Sequence, residues 1–356
     1  MFLIATFLFA LIASTNAVKT VYLSAFGNDN NNGNSANSAV KTLTKAISLL
    51  SSESAGVVSV GPGSYALEGT QLTGNPLKSL SIIGSSGKPA QTVFSCGVSP
   101  QNSIRIYDVT LTIESITLAD CSMPLQVGYS SYKSNLIAKG VTFKNSVTDI
   151  VYSEGPVTIS LDNCQFIPAG NGECAICFKR SYSSTSTANL LLSRTTFGSY
   201  TKYAIDLHNR YTAYRGTDAG LLNVTSCSFA PTNSKLTNSN WIWKPSQYMN
   251  VNIYDSSFTG GTNDISSTNS AGVYLVSSGK TQVSIVKSQF ADHNGTAALW
   301  ISGGQVSINN IEVSKNKGFF DKNGAGLRLT DSAIVAIQNS DFKSNQMTVG
   351  EGAGIH

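Results

Sequence analysis

Through the last two-thirds of the chain, apolar and polar positions follow one eight-residue pattern. Positions one, three and eight are apolar, position six is small or apolar, and the others are open. Nine copies run LTIESITL (111–118), LIAKGVTF (136–143), ISLDNCQF (159–166), LLLSRTTF (190–197), LNVTSCSF (222–229), VNIYDSSF (251–258), VSIVKSQF (283–290), VSINNIEV (306–313) and VAIQNSDF (335–342). Position eight holds Leu118, Phe143, Phe166, Phe197, Phe229, Phe258, Phe290, Val313 and Phe342, so successive copies end 23 to 32 residues apart. Alternation puts positions one and three on one face of a strand. Positions six and eight return to that face only after a corner in between. Each copy is therefore two short strands joined at a corner.

A second alternation follows most copies, as in Ala204-Ile205-Asp206-Leu207, Gly272-Val273-Tyr274-Leu275, Ala298-Leu299-Trp300-Ile301 and Gly326-Leu327-Arg328-Leu329, and supplies a third side. One coil alone cannot bury its apolar face, but stacked coils share strand hydrogen bonds and align like side chains in columns. The pattern predicts an all-β, three-sided solenoid of parallel strands, about ten or more coils long, with the phenylalanines in one column. Upstream, residues 21–24, 57–60 and 80–84 read as strands and 27–38 as a turn-rich stretch. Leu43, Ala46, Ile47 and Leu50 share one helical face, which predicts a short N-terminal helix capping the first coil. Residues 350–356 begin another coil. Because an uncapped coil exposes core and strand edge, the natural chain is expected to continue beyond His356.

Composition agrees with strands and turns. Only 12% of residues are charged against 41% hydrophobic, about half the usual charged share. The net charge of +4 comes without any basic run, which leaves no electrostatic footprint for nucleic acid or an anionic membrane. Residues 1–17, MFLIATFLFALIASTNA, are apolar, short, and end on small residues, as a secretory signal peptide cleaved near Ala17 does, while the missing Lys or Arg at its start leaves an uncleaved anchor as the alternative. Residues 18–356 are then one solenoid domain, secreted or at the cell surface, with no further segment apolar enough to span a bilayer as a helix. Six cysteines, Cys96, Cys121, Cys164, Cys174, Cys177 and Cys227, make an even count that an oxidising compartment allows to pair, and the connectivity stays open. Cys174 and Cys177 are spaced like a redox or zinc motif, but no second such pair exists and strand alternation points them to opposite faces. Structural cysteine is the expected reading. The sequons at Asn223 and Asn294 suit a glycoprotein.

The residues resemble the pectin-lyase-like right-handed parallel β-helix superfamily. The likeness covers everything after the signal, and the opening, TVYLSAFGNDNNNG followed by KTLTKAISLL and VVSVGPGSYAL, is similar to the start of that fold. Phe342-Lys343-Ser344-Asn345, the near match Phe290 to Asn294, and the Gly-Ala-Gly runs at 324–326 and 352–354 are similar to polymorphic outer-membrane-protein repeats. The resemblance implies a single-stranded right-handed β-helix and a surface-exposed, often adhesive, extracellular role.

That superfamily includes polysaccharide lyases, polygalacturonases and pectin esterases, and each chemistry needs its own residues. The polygalacturonase signature of Asn-Thr-Asp, Asp-Asp and Gly-His-Gly is absent. No acidic cluster suits a lyase's calcium. Glu68 stands one residue too late for the esterase pattern. His293 and His356 lack ligand-spaced partners, so no metal and no cofactor are implied. The remaining enzymatic candidate is Asp206, His208 and Arg210, alternating outward as acid, base and anion clamp for an acidic polysaccharide lyase or hydrolase. A solvated strand face with compensating charges is the competing reading. On the same side, inward Ile242, Val273, Leu275, Leu299 and Ile301 leave Trp241, Trp243, Tyr274 and Trp300 outward, flanked by Arg328. That is a platform on which sugar rings stack unless loops fold over it. The expectation is a non-catalytic β-helix that binds extracellular glycan or a cell-surface protein through this side.

Overall fold

The computed structural model describes residues 18–96, 102–128, 132–152, 156–168, 174–178, 187–198, 200, 203–207, 220–231, 240–244, 249–261, 271–277, 281–295, 297–318, 325–331, 333–348 and 353–356. Among them, three long parallel sheets run side by side. The first has twelve strands, from Lys19–Leu23 to Ile334–Gln338. The second has eleven, from Gly63–Ala66 to Asp341–Lys343, and the third ten, from Thr70–Thr73 to Leu327–Thr330. Each coil visits them in turn, as in Ser134–Lys139, Thr142–Lys144 and Thr148–Tyr152, and then pairs with the next coil in parallel. This is a right-handed parallel β-helix, the hand that parallel crossovers adopt almost without exception.

The eight-residue pattern spans the first two sheets, and its corner has one conformation. Position five lies in the left-handed region in all nine copies, at Ser115, Gly140, Asn163, Arg194, Ser226, Asp255, Lys287, Asn310 and Asn339, with φ from 49 to 56°. A single left-handed residue redirects the strand so that positions six and eight turn back to the core. In several coils position six then carries a small polar group that satisfies the bent backbone, and in others an apolar one such as Ile116, Val141 or Ile311. Thr195, Ser256 and Ser288 each donate to the carbonyl two residues earlier at 2.9 Å. They also accept from N–H groups of the preceding coil, as Ser256 Oγ does from Cys227 at 3.1 Å. Cys164 and Cys227 occupy the same column with Thr195 between them. Both are buried free thiols, and burial pushes each up to about 11, so they sit as protonated, inert groups.

Position eight forms the expected column. Phe143, Phe166, Phe197, Phe229, Phe258 and Phe290 stack with centroids 4.5 to 4.9 Å apart and planes within 12° of parallel. That spacing is the distance between paired strands, so backbone ladder and ring stack share one repeat. The helix Leu43–Leu50 caps the first coil as predicted. Thr42 accepts from Lys45 N–H at its start, and Leu43, Ala46 and Leu50 are buried. It lies so close that a Cβ on Gly56 would come within 2.8 Å of the Leu50 methyl groups.

Two expectations are corrected here. The residue three after position eight is His293, Asn316 and Asn345 in successive coils, so His293, and not Asn294, completes the Phe290 repeat. Asn345 Oδ1 accepts from Asn316 N–H at 3.1 Å while its Nδ2 donates to Val313 O at 2.9 Å, and Asn316 treats His293 and Phe290 alike. His293 takes the same position but not the same contact: its Nδ1 faces Gly260 O at 3.4 Å, two residues beyond the Phe258 carbonyl that the asparagine relation would use. The second correction concerns Cys174 and Cys177, which are bonded to each other. Their Cα atoms lie 6.0 Å apart, well short of the roughly 10 Å of an extended three-residue span. The chain bends at Ala175, so alternation does not separate them.

Candidate functional site

The third sheet enters each strand through a bend at which two consecutive residues turn inward. Ala175-Ile176, Ala204-Ile205, Gly272-Val273 and Ala298-Leu299 are all buried, and the first of each pair is small because it fills the corner. Trp241-Ile242 obeys the same rule. Trp241 is therefore inside, 1% exposed, tilted against Phe229 at 6.1 Å, with Nε1 donating to Gly260 O at 3.2 Å. Its expected outward placement is overturned by the bend, and the small neighbours Ala204 and Gly272 leave the room it takes.

Beyond the bend, alternation holds. Pairing sets Ile176, Ile205, Ile242, Val273, Leu299 and Leu327 in one inward column and puts Cys177, Asp206, Tyr274, Trp300 and Arg328 in the neighbouring outward one, with the Trp243 backbone in register between Asp206 and Tyr274. Five of the residues singled out from sequence thus occupy equivalent positions in five consecutive coils. Of the acid-base trio only Asp206 lies among the described residues, half-buried between Cys177 and Trp243; His208 and Arg210 lie outside them. The Trp243 backbone pairs with Asp206 and Tyr274.

The C-terminal end of the column is a closed stack. Tyr274 meets Trp300 edge-on at 4.7 Å, and the Arg328 guanidinium lies 3.8 Å above the Trp300 ring. Trp300 Nε1 donates to Thr330 Oγ1 at 3.0 Å. The ring is 6% exposed and packs with Ala271 and Ala297. The free sugar-stacking face expected of Trp300 is thus taken by its own column neighbours. The cation holds to the ring quadrupole, with Nε and Nη1 buried and without a hydrogen-bond partner. Burial lowers the Arg328 pKa, against the raising influence of Tyr274 and Asp331.

The interior holds ionisable groups that the sequence reading did not single out. Lys244 takes the inward position two after Ile242, fully buried, with Nζ donating to the Val276 carbonyl, and burial pushes it down to about 7. Asp149 sits at the corner position in front of Ala175, where the buried Tyr200 hydroxyl donates to it. Burial pushes Asp149 up to about 7 against that hydrogen bond. The alternation of Ile242 and Lys244 was itself the signal for Lys244. Asp149 and Tyr200 are 51 residues apart and carry none.

Asn223 stands half-buried on the outward face of the first sheet, between Leu191 and Asn252, and Asn294 is half-buried in the short strand Asn294–Gly295 with its Oδ1 enclosed and without a partner. Among the described residues, no group of three His, Cys, Asp or Glu side chains is placed to hold a metal ion. No helix there is long and apolar enough to cross a membrane.

No family model matches the sequence, and no curated protein matches it. Among solved structures, the chain is similar to pectate lyase Pel9A, with a TM-score of 0.42 and 12% identity over 91% of this chain and 79% of that one. It is also similar to a rhamnogalacturonan lyase, with a TM-score of 0.39 and 11% identity over 91% of this chain and 87% of that one.

Proposed function

We propose that this protein is an extracellular β-helix that binds glycan, without catalysis, along the outward column of its third sheet. The observation that carries the reading is the register of Asp206, Trp243, Tyr274, Trp300 and Arg328 in consecutive coils. Four steps of strand spacing make a linear site roughly 19 Å long, a shape suited to an extended polymer. Arg328, fixed over Trp300, supplies a cationic end for an acidic sugar, and Tyr274 supplies the accessible part of the aromatic surface. Secretion, with removal of residues 1–17 and glycosylation at Asn223 and Asn294, belongs to the same proposal. The Cys96–Cys121 bond between adjacent coils suits the oxidising compartment it requires.

The test is a glycan array with the full chain, followed by titration of the strongest acidic oligosaccharide into the Tyr274→Ala and Arg328→Ala variants. Each substitution is expected to weaken binding about tenfold, the scale of one aromatic or charge-assisted contact. Unchanged affinity in both variants sinks the site. New reducing ends or unsaturated products from acidic polysaccharides, with or without calcium, would sink the non-catalytic reading.

A further inference from the structure

At its N-terminal end the same sheet presents different chemistry. A cavity of about 490 Å³ opens at the corner between the third and first sheets, lined chiefly by Gln71, Thr73, Asn75, Tyr107, Asp108 and Tyr132. Three coils contribute. Gln71 and Thr73 come from the strand Thr70–Thr73, Tyr107 from Ile104–Tyr107, and Tyr132 from the segment leading into Ser134–Lys139.

The floor is rigid. Gly74 N–H donates to Tyr107 O at 3.0 Å, and a Cβ on Gly74 would lie 2.0 Å from the Asp108 carbonyl oxygen, so only glycine permits this approach of two coils. Asp108 turns the next corner with φ 59°, and its N–H donates to Ser134 Oγ at 3.2 Å. Its carboxylate is ion-paired with Lys78 at 2.6 Å. The Asp108 charge, the one charge among the described lining residues, is therefore balanced. The rest is aromatic, amide and hydroxyl: Tyr132 is 52% exposed, Tyr107 is half-buried, and Gln71, Thr73 and Asn75 are exposed.

We infer that this groove binds a short neutral oligosaccharide. Its volume falls in the range of small-ligand sites, and it combines ring faces with a few convergent polar groups. Tyrosine rings stack on the C–H faces of a pyranose while primary amides pair with vicinal hydroxyls. A uronate would bring a charge for which the described lining residues hold no cation. Arg105 neighbours Gln71 in the outward column but stands outside the lining. The inference goes beyond the proposed function, because the site is at the opposite end of the sheet, uses none of the same residues and takes an uncharged ligand.

Calorimetric titration of the full chain with an array of neutral tetrasaccharides, cellotetraose, xylotetraose, mannotetraose and chitotetraose, and with tetragalacturonate, tests it. At least one neutral ligand is expected to bind. Tyr132→Ala and Gln71→Ala should each weaken it about tenfold, while Arg328→Ala leaves it within about twofold. Tyr132 and Gln71 are exposed, so their variants are expected to fold, and matching thermal melts check this. No neutral binding, unchanged affinity in both groove variants, or preference for tetragalacturonate overturns the inference. Acidic-glycan binding that ignores Arg328→Ala sinks the proposed function alone and leaves the groove standing.

Discussion

One face of one sheet ends in two ways. At the C-terminal coils the outward side chains close on each other: Trp300 is gripped between Tyr274 and Arg328 and keeps 6% of its surface. At the N-terminal coils, the outward side chains part around a cavity, and Tyr132 keeps 52%. The difference lies in column neighbours. Strand spacing of about 4.8 Å brings successive outward residues to stacking distance, so an aromatic followed by an aromatic and then a guanidinium seals itself. Gln71, Arg105 and Gln126 in the equivalent column carry no aromatic ring. The aromatic groups of the N-terminal end, Tyr107 and Tyr132, stand instead at the corner between the third and first sheets. In this sheet the Trp300 ring is therefore a packing element first, whereas Tyr132 at the corner keeps half of its surface open.

The largest effect that sharpens the contrast is expected from Trp300→Ala. Emptying a closed stack should lower unfolding stability by about 3 kcal/mol in urea denaturation, and a loss under about 1 kcal/mol would mean that the ring is not structural. Next is His293→Asn, which extends the asparagine ladder beside the same C-terminal coils. His293 is pushed down to about 4 by burial, partly opposed by its contact with Gly260 O, so the folded state holds it neutral. A group depressed from 6.5 to about 4 contributes stability that is lost as pH falls through that window. Wild type should lose about 2 kcal/mol more than the variant between pH 8 and pH 5. Asp149, raised to about 7, acts in the opposite sense, losing stability as pH rises, but it is present in both proteins and cancels in the difference. Parallel pH curves would remove His293 from the account. The smallest effect is Tyr132→Ala at the open end, where stability should stay within about 0.5 kcal/mol. A large loss in thermal or urea melts would make the groove a packing feature and erase the contrast.

Much of the fold was legible because the solenoid repeats its chemistry. The nine corners, the phenylalanine column and the register joining Asp206, Trp243, Tyr274, Trp300 and Arg328 all follow from alternation counted along the chain. Trp241 was misplaced because the bend before each third-sheet strand turns two residues inward in succession, which a period of two cannot express. His293 was missed as a ladder member because its imidazole replaces an amide one residue before the asparagine that catches the eye. The closure over Trp300 depends on Arg328, which is 28 residues later in sequence but one coil away. The groove was invisible for the same reason: Gln71, Tyr107 and Tyr132 belong to three coils and share no motif.

The constant register has a consequence for how such a molecule changes length. Val251, Val283 and Val306 pair in succession at the same position of the pattern, although the coils between them differ in length. A deletion that starts and stops at equivalent positions, such as residues 283–305, would bring Val306 onto Val251 and leave each ladder in phase. A deletion whose ends fall at unmatched strand positions would put the joined coil out of phase with its neighbours. Within the paired strands the unit of tolerated change is the whole turn, while the loops between the strands absorb differences in residue count.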